Sequence, residues 1–443
     1  MVERAPAEIA AAGLCIGCGA CGGPMRWTPH LLREATGTQP SATVAAICPF
    51  SPEAANEDTI AVAAFPAAAS HDPHLGRIEA NYVGHVAEGE WRAGGSSGGM
   101  VSWVAAELLR TGAIDGVLHV VPTPSESGGF FTYRISRTLD EIAAGARSRY
   151  HPVDMAAVLE EVRCTPGRYA VVGIPCFIKA VNLLRRAEPV MAERIVATLG
   201  LFCGHMKSRR FVDSFAWQLS AKPDDVLAVE YRRKDAGRPA NWYTAHLTLA
   251  DGSTRQQDWW HLADGDWGAG YFQAGACDYC DDVVAETADV SFGDAWVEPY
   301  SSDGRGTNVV VVRSPAVARM VAGAIGEGRL ALEPVDAEFV RETQAAGFRH
   351  RREGLAWRLA MFPPRLPLRK RVAPAVAQVS RRRRLVYRTR RHIARWSHKV
   401  ARLARAIGAP GLYIRWARTM LGLYQGLAYD RGRWGAAFKR LGL

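Results

Sequence analysis

Long apolar runs are missing from this sequence. No stretch approaches the roughly 18 residues of a membrane-spanning helix, so any membrane contact is expected to be peripheral. Cysteine is sparse: nine in 443 residues is far below the density of a disulfide-stapled small domain. The opening MVERAPAEIAAAG lacks the cationic region, apolar core and cleavage site of an export signal. The expected setting is therefore cytoplasmic and reducing, with thiols available as ligands. No solenoid-type repeat recurs, and the main glycine cluster fits neither G-x-G-x-x-G nor the P-loop. Charged residues make up 22% of the chain against 48% hydrophobic, which excludes a largely disordered protein and leaves room for two or three domains.

Negative charge is nearly absent from one end. Residues 365–443 hold 21 lysines and arginines against a single acidic residue, Asp430, whereas the whole chain carries +11. The rest of the chain is thus net acidic, and the basic character belongs to a C-terminal extension.

The expected organisation is α/β in three parts. Residues 1–75 form a ferredoxin-like iron–sulfur segment ending in the connector AAFPAAASHDPHLG. Residues 76–345 form an α/β domain with a mainly parallel sheet, and residues 346–443 a basic helical extension. In the middle part, strand Tyr82–Ala87, a glycine loop, helix Met100–Arg110 and strand Gly116–Val121 read as one crossover unit. Strand Tyr169–Gly173, helix Phe177–Arg185 and strand Ile195–Phe202 read as a second. Cys176 and Cys203 then lie just past two strand ends, at the carboxyl edge where open α/β sheets bind ligands. The run Ala288–Phe292, ending in Gly293-Asp294, is a further strand aimed at that edge.

The cysteines fall into groups. Cys15-Ile-Gly-Cys18-Gly-Ala-Cys21 has the C-x2-C-x2-C spacing of bacterial ferredoxins, with Gly17 and Gly19 supplying freedom for a tight loop. Soft thiolates suit iron; four-thiolate zinc is the alternative. The usual Cys-Pro partner comes late, as Cys48-Pro49, so either a long insertion returns to the site or Cys48 serves another cluster. Cys176, Cys203 and the pair Cys277-Asp-Tyr-Cys280 number correctly for a second four-iron cluster, the alternative being ordinary buried cysteines. Cys164 is left over. Gly94 to Gly99, ahead of a helix, suits either a phosphate- or flavin-binding loop or a plain turn.

Six blocks in order carry a family resemblance: CIGCGAC; SSGGMVSWVAAELL with GAIDGVL; Ser148-Arg149-Tyr150; VVGIPCFIKAV; GLFCGH; and CDYCDDVVAETADVSFGDAW. From Cys15 to Arg313 the chain resembles the beta subunits of coenzyme F420-reducing hydrogenases and F420-dependent formate dehydrogenases, with their chlorophyll-pathway relatives. The resemblance implies a flavoprotein with FAD and one or two [4Fe-4S] clusters, exchanging hydride with a small organic substrate or a deazaflavin coenzyme. It implies flavin contacts for Ser97, Gly98, Gly99, Ser148, Arg149 and Lys179, and cluster roles for Cys176, Cys203, Cys277 and Cys280. Arg149 stands where many members carry Lys, keeping the charge but exchanging a flexible ammonium for a planar fork.

His205, Lys179, Asp281 and Asp294 are the acid or base candidates near the sheet edge; none is assigned as catalytic. Two readings of function follow: an oxidoreductase acting on a small molecule, and a non-catalytic subunit relaying electrons between partner proteins such as a ferredoxin. In the extension, Ile393, Trp396, Val400, Leu403 and Ile407 recur at helical spacing with arginines between them, ending at Gly408-Ala-Pro410. An anionic membrane surface at the inner face, docking on the acidic body or an acidic partner, and nucleic acid are the readings of this helix. The last has no recognised motif behind it.

Overall fold

Strand ends, rather than strand faces, position the cysteines. The computed structural model describes residues 2–123, 129–377 and 379–442. Its centre is an eight-stranded sheet of β1 (Ala80–Val86), β2 (Gly116–Pro122), β3 (Phe131–Ser136), β4 (Tyr169–Gly173), β5 (Ile195–Leu201), β6 (Val290–Asp294), β7 (Asn308–Val312) and β8 (Leu330–Pro334), in the order β8-β1-β7-β6-β5-β4-β2-β3. β6, β5, β4 and β2 are contiguous and parallel. β7 and β3 flank them antiparallel, and β1 beyond β7 again runs with the parallel group. The mainly parallel sheet expected from the sequence is therefore present. β7, Asn-Val-Val-Val-Val, is buried throughout, as a β-branched strand covered on both faces must be.

The second crossover unit forms as expected, with β4 and β5 parallel neighbours. The helix between them, α2 in a numbering that starts with α1 (Met100–Arg110), spans Pro175–Ala187 and has Pro at its first position, where no N–H is needed. Ile178, Val181 and Leu184 are fully buried, each worth roughly 1.5–3 kcal/mol of apolar transfer. The first unit forms too: β1 and β2 run the same way in one sheet around α1, with four strands between them.

Other elements lie outside the sequence reading. Val226–Arg233, Thr244–Leu249 and Thr254–Asp258 form a three-stranded antiparallel sheet, Met25–Trp27 pairs with Arg33–Ala35, and Ser70–Asp72 of the expected connector pairs with Gly76–Ile78.

The extension folds as α3 (Arg381–Ala406), α4 (Pro410–Tyr429) and α5 (Gly432–Arg440). It docks on the acidic body: Arg405 pairs with Asp213 and Asp224, Arg391 with Asp278, and Arg371 with Glu286. The buried stripe of α3 differs from the one expected. Val386, Tyr387, Arg390, Ile393, Ala394, Ser397, His398, Ala401 and Ala404 face inward, whereas Trp396, Leu403 and Ile407 are exposed. Close approach explains the difference. Ser397 Oγ accepts from Phe272 N at 2.9 Å, and His398 Nε2 lies 3.1 Å from the Gln273 carbonyl, so small and polar residues make the contact. Hydropathy alone favours the larger ones.

Candidate functional site

The first thiol set is built by a loop that excludes side chains. Gly17 and Gly19 sit at φ +72° and +79°, in the left-handed region. A Cβ on Gly17 would come within 2.5 Å of the Arg33 carbonyl, and one on Gly19 within 2.7 Å of Ala156 N. Cys48 follows helix Ala42–Ile47, whose start is capped by Ser41 Oγ, and this helix returns it to the loop. Cys15, Cys18, Cys21 and Cys48 line one cavity. Ala35 N approaches Cys15 Sγ at 3.5 Å. Burial pushes the Cys21 thiol up to about 11 and the Cys48 thiol up to about 12, so bare thiols here stay protonated.

The second set is assembled by the sheet. Cys176 lies in the first turn of α2 after β4, Cys203 just past β5, and Cys277 and Cys280 at a short turn ahead of β6. Their charges interact mutually. Burial raises Cys203 to about 12 and Cys277 to about 11, and Met206 N donates to Cys277 Sγ at 3.3 Å. Arg351, also buried, donates through Nη2 to the carbonyls of Cys203 and Gly204 at 3.1 and 2.7 Å, and interacts with all four thiols. Its Nη1 is buried with no partner among the described residues. A buried cation with a spare donor beside four thiols fits an anionic thiolate centre. Cys164 is exposed and stands apart from both sets.

The two sets adjoin: Cys18 and Cys176 are within charge range of each other, and Tyr133 lies near both, stacked on Phe177. Among the described residues, no three His, Cys, Asp or Glu side chains close on a single ion.

Ser97, Gly98, Gly99 and Ser148 are brought together. Gly99, at φ +86°, precedes α1, and a Cβ on Gly98 would meet the Gly84 carbonyl at 2.8 Å. Ser97 Oγ donates to the Thr307 carbonyl at 2.9 Å, and Ser148 N donates to Ser96 Oγ at 2.8 Å. Arg149 follows, its guanidinium 5.2 Å from the Phe131 ring centre and its Nε buried without a partner among the described residues. Burial, then Arg147, lowers it to about 10. Lys234, which the sequence reading missed, donates to the Ser97 carbonyl at 3.1 Å. Lys179 makes a buried ion pair with Glu57 at 3.1 Å.

The acid and base candidates separate. Asp281 is fully buried against Lys370 and Arg371, which hold its carboxyl below the ordinary range despite burial. Asp294 makes a two-point pair with Arg232 at 2.7 and 2.8 Å. His205 differs: its Nε2 is buried and unpartnered among the described residues, and burial lowers it well below its ordinary value. Its ring stacks on Trp267 at 4.4 Å, and Trp267 contacts Tyr150 at 4.7 Å. Aromatic rings therefore run from beside Cys203 to beside Arg149. Lys207, also missed, caps this run: its Nζ lies 4.6 Å from the Trp267 ring centre, and burial lowers it to about 7.

Two family models match the chain. The one for the N-terminal part of the coenzyme F420 hydrogenase/dehydrogenase beta subunit matches residues 81–160, and the one for its C-terminal part matches residues 167–338, together more than half of the chain. The first thiol set precedes this match, which extends past Arg313. No curated protein matches. Among solved structures, a chain from the F420-reducing [NiFe] hydrogenase complex of Methanosarcina barkeri is similar at 17% identity and TM-score 0.51, covering 68% of this chain and 99% of that one. Fold and sequence agree, and the chain belongs to the coenzyme F420 hydrogenase/dehydrogenase beta subunit family, whose members are subunits of electron-transfer oxidoreductases.

Proposed function

We propose that this chain is an iron–sulfur flavoprotein with two [4Fe-4S] clusters, one held by Cys15, Cys18, Cys21 and Cys48 and the other by Cys176, Cys203, Cys277 and Cys280. FAD would rest on Ser97, Gly98 and Gly99, with Ser148 and Arg149 beside it. The observation that carries this reading is the gathering of eight of nine cysteines into two adjoining groups of four. When bound, a flavin supplies two-electron exchange with an organic substrate and one-electron exchange with clusters.

The chain's own residues support that division of labour. The glycine loop offers bare backbone at the start of α1, where a phosphate is favoured, and the spare Nε of Arg149 adds a donor for an anionic group. Arg351 offsets thiolate charge in the second set. The rings of His205, Trp267 and Tyr150 line up between the second set and Arg149. His205 carries a buried Nε2 with no partner among the described residues.

Anaerobic purification followed by flavin extraction and turnover tests the proposal. About one FAD per chain, with reduction of a small organic acceptor or deazaflavin by the isolated chain under a chemical reductant, is the expected result. Flavin without turnover until a partner protein or ferredoxin is added would shift the assignment to an electron relay. A flavin-free chain would overturn it.

A further inference from the structure

Past its first turn, the cations of α3 divide into two groups. Arg390, Arg391 and Arg405 turn inward: Arg390 reaches Gln273 Oε1 at 2.9 Å, Arg391 pairs with Asp278 at 3.6 Å, and Arg405 pairs with Asp213 at 3.2 Å. Arg388, Arg395, Lys399 and Arg402 are exposed and make no ion pair among the described residues. On the same outward face stand Trp396, Leu403 and Ile407, with 44%, 52% and 59% of their surface exposed. Spacings of seven and four place these three in one stripe along the helix. Docking on the body leaves this face uncovered.

We propose that the outward face of α3 binds an anionic lipid surface. The helix runs 26 residues, about 39 Å at 1.5 Å per residue, long enough to lie flat along a bilayer. Trp396, Leu403 and Ile407 would enter the boundary between headgroups and acyl chains, while the flanking arginines and Lys399 reach lipid phosphates along their aliphatic stems. No carboxylate occurs between Glu353 and Asp430, so nothing on this stretch repels an anionic surface. Elsewhere in the extension, a cleft of about 320 Å³ between α4 and α5 is lined by Arg418, Arg431 and Arg433 with no acidic residue. Nucleic acid would engage the cations but leave Leu403 and Ile407 without a role. The contact is superficial: among the described residues no helix is long and apolar enough to cross a membrane. This inference is independent of the redox reading.

Flotation of the full chain with vesicles tests it. Binding is expected to vesicles of phosphatidylglycerol and phosphatidylcholine in equal parts, with little to phosphatidylcholine alone. Raising NaCl to about 1 M, where screening acts over about 3 Å, should release the chain. Two variants, W396S/L403S/I407S and R395Q/K399Q/R402Q, should each lower partitioning by more than about tenfold while keeping the wild-type thermal midpoint, because every altered side chain is exposed. If one variant loses its fold, the other decides. No flotation, equal binding to both vesicle types, or partitioning unchanged in the folded variants would overturn the proposal, whatever acidic protein the face then captures.

Discussion

The two thiol sets reach similar ends by different routes. The first comes from residues 15–48, and its geometry rests on two left-handed glycines and one returning helix. The second comes from residues 176–280, and its geometry rests on β4 and β5 ending side by side, with Arg351 supplied from farther along the chain. A local loop closes cheaply, whereas a long-range site inherits its order from a sheet that is already folded. The first set should therefore be a detachable module and the second a keystone of the body.

Cys277→Ser is expected to have the largest effect. A structural metal centre contributes on the order of 10 kcal/mol in small zinc domains, and the proposed second cluster would join three segments of the core. Hydrogen exchange should show protection lost across β4, β5 and β6, whereas Cys18→Ser should expose only the region around residues 12–50. Equal spread of exchange in the two variants would erase the distinction.

Next comes Arg351→Met. Removing one partner of a buried charge pair costs roughly 3–5 kcal/mol, and loss of the positive charge should move the potential of the second cluster downward while leaving the first in place. Potentiometric titration followed by electron paramagnetic resonance reads both. A shift in both clusters would mean that Arg351 does not belong to one set.

Gly17→Ala is smaller, about 1–2 kcal/mol for the left-handed backbone, plus displacement of the Arg33 carbonyl. It should cost the first cluster and spare the second, which visible circular dichroism can separate.

Near neutral pH the smallest effect is that of protonation. His398, on the helix roofing the second set, is lowered from 6.5 to about 3, chiefly by burial. Its folded pKa lies below the unfolded one, so the unfolded chain takes the proton first, and stability present above pH 6.5 drains away as pH falls toward 3. The second cluster should bleach before the first on acidification, and His398→Gln should flatten that slope in thermal midpoints measured against pH.

Legibility in the sequence followed the same division. Cys15, Cys18 and Cys21 announce themselves by spacing, because a short loop leaves little freedom between neighbours. Cys176 and Cys203 were legible only through the strands ahead of them. The three-stranded sheet had a signal of its own, the alternation in Thr244–Leu249 ahead of the Asp251-Gly252 turn that leads to Thr254–Asp258. Arg351 and Arg390 had none, since an arginine bound for a buried site is spelled like any other. The inward face of α3 was misread because Ser397, His398, Ala401 and Ala404 bury through close packing and hydrogen bonds, which hydropathy does not register. The pairing of Lys179 with Glu57 had no signal either: the partner lies far off in sequence, on helix Glu57–Ala64.

Iron and acid-labile sulfide counted per chain after anaerobic purification test the two-set account most directly. About eight of each, falling to about four in both Cys18→Ser and Cys277→Ser, is the predicted result. About four in the wild-type chain, or zinc without sulfide, would contradict it.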